Sequence, residues 1–169
     1  MKKYVYSIWN FLLNLQKGIM IISSILILLG LVATVLLRYI FQADLYGLEE
    51  LILIPAFWMY FMGASYGTHL DTHITADLTK VYIKDERIKS MVQLLNTVIC
   101  LVIAIVFTFW ANSFVIWSIN SGGNSSAWKY PLYIPQSAIM IGFILMSLYL
   151  AVKMVNDAKI LVARSGKGL

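Results

Sequence analysis

The chain has 169 residues, of which 60% are hydrophobic and 12% are charged. Water-soluble domains are about half apolar and about a quarter charged, so this composition excludes an ordinary soluble fold. The net charge of +5 does not indicate nucleic-acid binding. In so apolar a chain, the positions of the basic residues relative to the spans indicate which side of the membrane each connection occupies. We therefore expect no nucleic-acid partner.

Four apolar segments are long enough to cross a bilayer, whose hydrocarbon layer takes about 20 helical residues to span. They cover residues 18–41, 48–68, 92–117 and 135–155. The sequence predicts an all-α integral membrane protein with four transmembrane helices in a single membrane domain, residues 1–169.

The first 16 residues have their own pattern. Apolar side chains fall at helical spacing and polar ones take the other side of the helix; the apolar set is Tyr4, Ile8, Phe11, Leu12 and Leu15. Such a stripe predicts an interfacial amphipathic helix in the headgroup layer. The alternative is a simple extension of the first span.

Basic residues are unevenly distributed between the connections. Eleven of the 13 lysines and arginines lie in the N-terminal segment, the connection after the second span and the C-terminal segment. Only Arg38 and Lys129 lie in the other two connections. The positive-inside rule therefore predicts that both termini are cytoplasmic.

Acidic side chains are missing from the centres of the spans, because all eight carboxylates lie at span ends or in connections. A secondary transporter usually places ionisable groups near the midplane. We therefore expect neither an autonomous transporter nor an enzyme, and no cofactor or metal in this chain. His69 and His73 have the i,i+4 spacing of a helical metal or haem site, which keeps open the alternative of a membrane anchor for a cytochrome or quinone complex.

Packing and charge motifs mark two further places. Gly63 and Gly67 form a small-xxx-small pair that allows close helix approach. Arg38 ends the first span, and Glu49 and Glu50 begin the second. These opposite charges could pair at one rim of the membrane; the alternative is a rim of solvated or snorkelling side chains.

Several short segments resemble the small membrane subunit of TRAP transporters, the DctQ-like family. They are residues 37–41 (LRYIF), 49–51 (EEL), 63–64 (GA), 73–74 (HI) with Asp77, and 130–135 (YPLYIP). The resemblance extends over nearly the whole chain. One departure is Tyr46, Gly47 and Leu48, because many relatives have a tryptophan shortly before the paired glutamates.

The resemblance implies a small scaffold subunit in the bacterial inner membrane. A separate large subunit would carry sodium and substrate, and a periplasmic binding protein would deliver an organic acid of the sialic acid or C4-dicarboxylate type. Membrane lipids are a further expected partner of the chain. The implied site residues are Arg38, Tyr39, Glu49 and Glu50 for the outer rim, Gly63 and Gly67 for helix packing, and His73 and Asp77 for the inner surface.

Overall fold

The computed structural model describes residues 2–40, 42, 47–70 and 86–165. These residues contain four α-helices: α1 (Lys2–Tyr39), α2 (Leu48–Leu70), α3 (Glu86–Ser121) and α4 (Tyr133–Ser165). All four are long and apolar enough to cross a membrane, which confirms the predicted fold class. His73 and Asp77 lie outside the described residues.

The first helix is longer than the span predicted for it. It runs without a break for 38 residues, about 57 Å at a rise of about 1.5 Å per residue. Residues 2–16 therefore continue α1 and do not form a separate helix. That this segment lies in the headgroup layer stays a prediction.

Glycine and proline define the turn that follows α3. Gly122 has a φ of 60°, and its N–H bonds the carbonyl of Ile119 at 3.2 Å. This left-handed conformation is the usual way to end a helix, and glycine adopts it without steric cost. Pro135 lies in the first turn of α4, where its missing N–H costs little.

The helices form a single row. Helix α1 contacts α2, α2 contacts α4, and α4 contacts α3. Within the described residues, no other pair of helices approaches closely along the backbone, and α1 reaches α4 only through side chains such as Gln16 and Tyr149. The spatial order is therefore α1, α2, α4, α3, with α2 and α4 at the centre and two edge helices, each packed along the backbone of one neighbour.

Two glycines allow the central helices and one edge helix to approach closely. A Cβ placed on Gly142 of α4 would lie 2.8 Å from Cβ and 3.2 Å from the carbonyl oxygen of Phe61 on α2. A Cβ on Gly30 of α1 would lie 2.8 Å from Cγ1 of Ile52. Side chains larger than hydrogen would separate the helices at both points.

The predicted small-residue pair is packed less tightly. A Cβ on Gly63 would lie 3.6 Å from the sulfur of Met20 on α1, which is an ordinary van der Waals distance. Gly67 lies one turn further along α2 and is partly exposed. That this pair receives a helix of another chain stays a prediction.

A buried polar network joins three helices. The Gln16 amide of α1 donates to the Ser65 hydroxyl of α2 at 2.7 Å and accepts from the Tyr149 hydroxyl of α4 at 2.7 Å. Ser65 in turn donates to the Met62 carbonyl at 3.0 Å. Gln16 is 1% exposed and Ser65 is 0% exposed. Because hydrogen bonds away from water favour one fixed partner, the network sets the register of α1 against the central pair.

Replacing Gly142 with alanine should loosen the central pair. The added Cβ must push against the backbone of α2, so the apparent melting temperature of the purified chain should fall by several degrees, as expected for overpacking that costs about 1–3 kcal/mol. Gly63→Ala is the matched control, because its Cβ meets only ordinary contacts and alanine favours helix by about 0.5–1 kcal/mol. Equal or reversed effects in a fluorescence melting experiment would contradict this packing.

Candidate functional site at the Glu50 rim

The start of α2 and the loop between α3 and α4 meet at one end of the row. We call this place the Glu50 rim; it consists of Gly47, Glu50, Ser125, Ala127, Trp128 and Tyr130. The loop folds back on itself through backbone bonds from Ser125 N–H to the Tyr130 carbonyl at 2.9 Å and from Leu132 N–H to the Gly123 carbonyl at 3.0 Å. Residues 122–132 therefore form a defined turn.

The Glu50 carboxylate holds this turn. It accepts a hydrogen bond from the Ser125 hydroxyl and one from the Ala127 N–H at 3.1 Å. Charge-assisted bonds of this kind are stronger than neutral ones. A negative charge in the first turn of α2 also suits the positive end of the helix dipole. One side chain thus ties the loop to the start of α2.

The backbone at the start of α2 accepts two more side chains from the loop. The Trp128 indole donates to the Gly47 carbonyl at 3.0 Å, and the Tyr130 hydroxyl donates to the Glu50 carbonyl at 2.8 Å. Gly47 has a φ of 89°, and a Cβ there would overlap Ala127. Glycine is therefore required at residue 47 for both conformation and space.

The environment keeps Tyr130 in its donating form. Burial raises the pKa of its phenol above the usual value, and the negative charge of Glu50 raises that pKa further. Both effects disfavour the phenolate. Tyr130 therefore stays protonated at physiological pH and continues to donate to α2.

The two adjacent glutamates have different surroundings. Glu50 points into the loop, whereas Glu49 is exposed. Arg38 and Tyr39, at the end of α1, are exposed too. Within the described residues, Arg38 forms no ion pair with either glutamate, so the charges that the sequence places at this end of the helices are not paired there.

The loop itself presents a cation that sequence reasoning left aside. Lys129 is exposed and has a φ of 56°, a left-handed conformation that is uncommon for residues other than glycine. Such conformations persist where the surrounding structure enforces them. Here the bonds of Trp128 and Tyr130 on either side fix the position of Lys129.

His69, one of the two histidines considered for metal or haem, lies in an aromatic cluster. Its ring centroid is 5.5 Å from Trp9 of α1 and 5.2 Å from Tyr149 of α4. These are ordinary packing distances for aromatic rings. In the described structure His69 thus packs where α1, α2 and α4 meet.

Replacing Glu50 with alanine should release the loop. Without the carboxylate, Ser125 and the Ala127 N–H lose their acceptor, so trypsin should cleave after Lys129 several times faster in the detergent-solubilised protein. Fragments ending at Lys129, followed by mass spectrometry, measure that rate. Glu49→Ala is the matched control and should behave like the unmodified protein. Equal cleavage of the two variants would show that Glu50 does not hold the loop.

Comparison with known proteins agrees with this architecture. Residues 27–160 match the family described as tripartite ATP-independent periplasmic transporters, DctQ component, whereas no curated protein matches the chain. The matched region includes the Glu50 rim and all of α2 and α3. The DctQ family consists of transporter components and is not an enzyme family. The chain therefore belongs to the DctQ family, as a multi-pass membrane component of a TRAP transporter.

Proposed function

We propose that this chain is the scaffold subunit of a sodium-coupled TRAP transporter for organic acids. The observation that carries the proposal is the single row of helices. Because the edge helices α1 and α3 do not approach each other within the described residues, the four helices do not close around a translocation path, and this arrangement favours a supporting role. The path, together with the sodium and substrate sites, is then expected in a separate large membrane subunit.

The apolar surface of the row supports a large contact within the membrane. In the most apolar part of α1, only 6% of residues are buried within the chain. Lipid or another membrane protein must cover the rest, because apolar surface avoids water. We infer that one side of the row binds the large subunit in a heterodimer and that lipid covers the remainder.

The Glu50 rim supports a role in receiving the periplasmic binding protein. Its loop is fixed by hydrogen bonds, and the described residues at this end of the helices include three exposed charges, Arg38, Glu49 and Lys129. Charges of both signs on a rigid surface favour oriented encounter with a soluble partner. In this proposal the protein lies in the bacterial inner membrane with both termini in the cytoplasm and the Glu50 rim facing the periplasm. The role of Glu50 is to hold the loop in the shape that the binding protein contacts.

The substrate class in this proposal rests on the resemblance described above. That resemblance implies an organic acid, and sialic acids and C4-dicarboxylates are the two types that it includes. The residues that contact the substrate are expected on the large subunit and the binding protein, not on this chain. DctQ membership favours this transport role over the redox anchor.

Affinity purification of the tagged chain from its native membranes tests the proposal. It should recover one much larger multi-span protein in near-equal amount. Recovery of the chain alone, or with haem-containing subunits, would contradict the scaffold role.

Charge reversal then separates docking from assembly. Glu49→Lys combined with Lys129→Glu should lower uptake of organic acid severalfold while the large protein still co-purifies in full amount. Lys159→Glu, an exposed change at the other end of α4, is the control and should leave uptake unchanged. Unchanged uptake in the double variant would exclude the rim as a docking surface.

A further inference from the structure

Helix α3 has an exposed surface that combines aromatic side chains with an asparagine. The helix packs along α4 through a buried stripe at helical spacing, which consists of Ala104, Ala111, Val115 and Ser118. Away from this stripe the helix is exposed. We call part of the exposed side the Asn112 surface; it consists of Phe109, Trp110, Asn112, Ser113, Ile116 and Trp117.

Asn112 is the polar centre of this surface. Its side chain is exposed, and its amide has no hydrogen-bond partner within the part of the chain that the structure describes. The neighbouring Ser113 differs, because its hydroxyl donates to the Phe109 carbonyl of the same helix at 3.0 Å. The Asn112 amide therefore offers donors and an acceptor that the described chain leaves unused.

The position of Asn112 along α3 places it inside the membrane. Helix α3 is apolar enough to span a bilayer between Arg87 and Ser121, and exposed tryptophans near such a helix end are typical of the membrane boundary. Asn112 lies about 7 Å deeper than Trp117 at a rise of about 1.5 Å per residue, which is too far for its short side chain to reach water. An amide without a partner is costly in hydrocarbon.

The tryptophans beside Asn112 are held in position. Trp110 is 67% exposed and Trp117 is 63% exposed. Trp110 contacts Phe107 edge-on, with ring centroids 5.8 Å apart, and Trp117 stacks on Phe114 at 6.2 Å. Large aromatic rings in fixed positions are typical of the centres of protein interfaces.

The exposed side of the other edge helix is different. Between Lys17 and Arg38 of α1 the exposed side chains are aliphatic except for Ser24, and a serine hydroxyl can turn back to a carbonyl of its own helix. The aliphatic set, 46–62% exposed, includes Ile21, Ile25, Leu28, Leu29 and Val32. Acyl chains are sufficient to cover such a surface.

We propose that the large membrane subunit binds at the Asn112 surface and that lipid covers the exposed side of α1. This inference rests on the proposed function, because it names the side of the row at which the partner of that function binds. Acyl chains offer no hydrogen bond to Asn112, so the partner presents a membrane-spanning helix with a polar side chain at that depth. Helix α3 packs along α4 alone within the described residues, which leaves this side open to a partner.

Site-specific photocross-linking in native membranes tests the proposal. Benzoylphenylalanine in place of Phe109, which is 68% exposed, should form a covalent product with the large protein that co-purifies with the tagged chain. The same group in place of Leu29, which is 59% exposed on α1, is the matched control and should form no such product. A product from the Leu29 position alone, or a product between the Phe109 position and a second copy of the chain, would overturn the proposal.

Asn112→Leu tests the amide itself. This change should lower the amount of large protein recovered with the tagged chain about threefold to tenfold, which is the usual effect of one hydrogen bond between membrane helices. The apparent melting temperature of the isolated chain should not fall, because the amide has no partner within the described chain. Ser24→Leu on α1 is the control and should give full recovery. Full recovery with Asn112→Leu would contradict a hydrogen bond to the partner.

The unmodified chain separates this inference from the proposed function. If it recovers no large protein, the proposed function fails and this inference fails with it. If it recovers the large protein while the Phe109 and Asn112 variants behave like their controls on α1, the proposed function stands and only the Asn112 surface is wrongly assigned.

Discussion

The close contact between α2 and α4 determines the arrangement of the other helices. Gly142 lets α4 approach the backbone of α2 at Phe61, and each central helix then carries one edge helix. Because α1 and α3 each pack closely along only one other helix, their register depends on a few polar contacts. Gln16 anchors α1 to the central pair, and Thr97 anchors α3 to Asp157. Water does not compete for hydrogen bonds that are buried, so a few such bonds can fix the position of an edge helix.

A carboxylate organises each end of the row. Glu50 is partly buried and Asp157 is buried, and they hold different elements in place. Glu50 holds the loop against the start of α2, which produces a surface of fixed shape at that end of the row. Asp157 holds α3 against α4. The proposed scaffold role would use both features, the surface of fixed shape at the Glu50 rim and the row of helices behind it. Glu50 lies in the first turn of α2 and Asp157 in the last third of α4, so neither is near the middle of its helix, which agrees with the proposed path in another chain.

The sequence predicted the four helices well, because long apolar runs leave few alternatives in a membrane. It did not predict the row, because helix order depends on contacts between distant segments. Gly142 looks like any other glycine in a membrane helix until Phe61 is placed beside it. Similarly, no local pattern separates Glu49 from Glu50; the rotation of α2 and the position of Ser125 make one exposed and the other a loop anchor. Asp157 was expected at a span end, but its burial requires donors on α3.

The most direct test of the row is cysteine cross-linking in membranes. In a Cys100→Ser background, cysteines that replace Thr108 and Ser147, whose hydroxyl oxygens are 3.1 Å apart on α3 and α4, should form a disulfide readily. Cysteine pairs scanned along the exposed residues of α1 and α3 should not. Efficient cross-linking between α1 and α3 along their length would indicate a closed four-helix bundle and would contradict the open row of helices on which the proposed scaffold role depends.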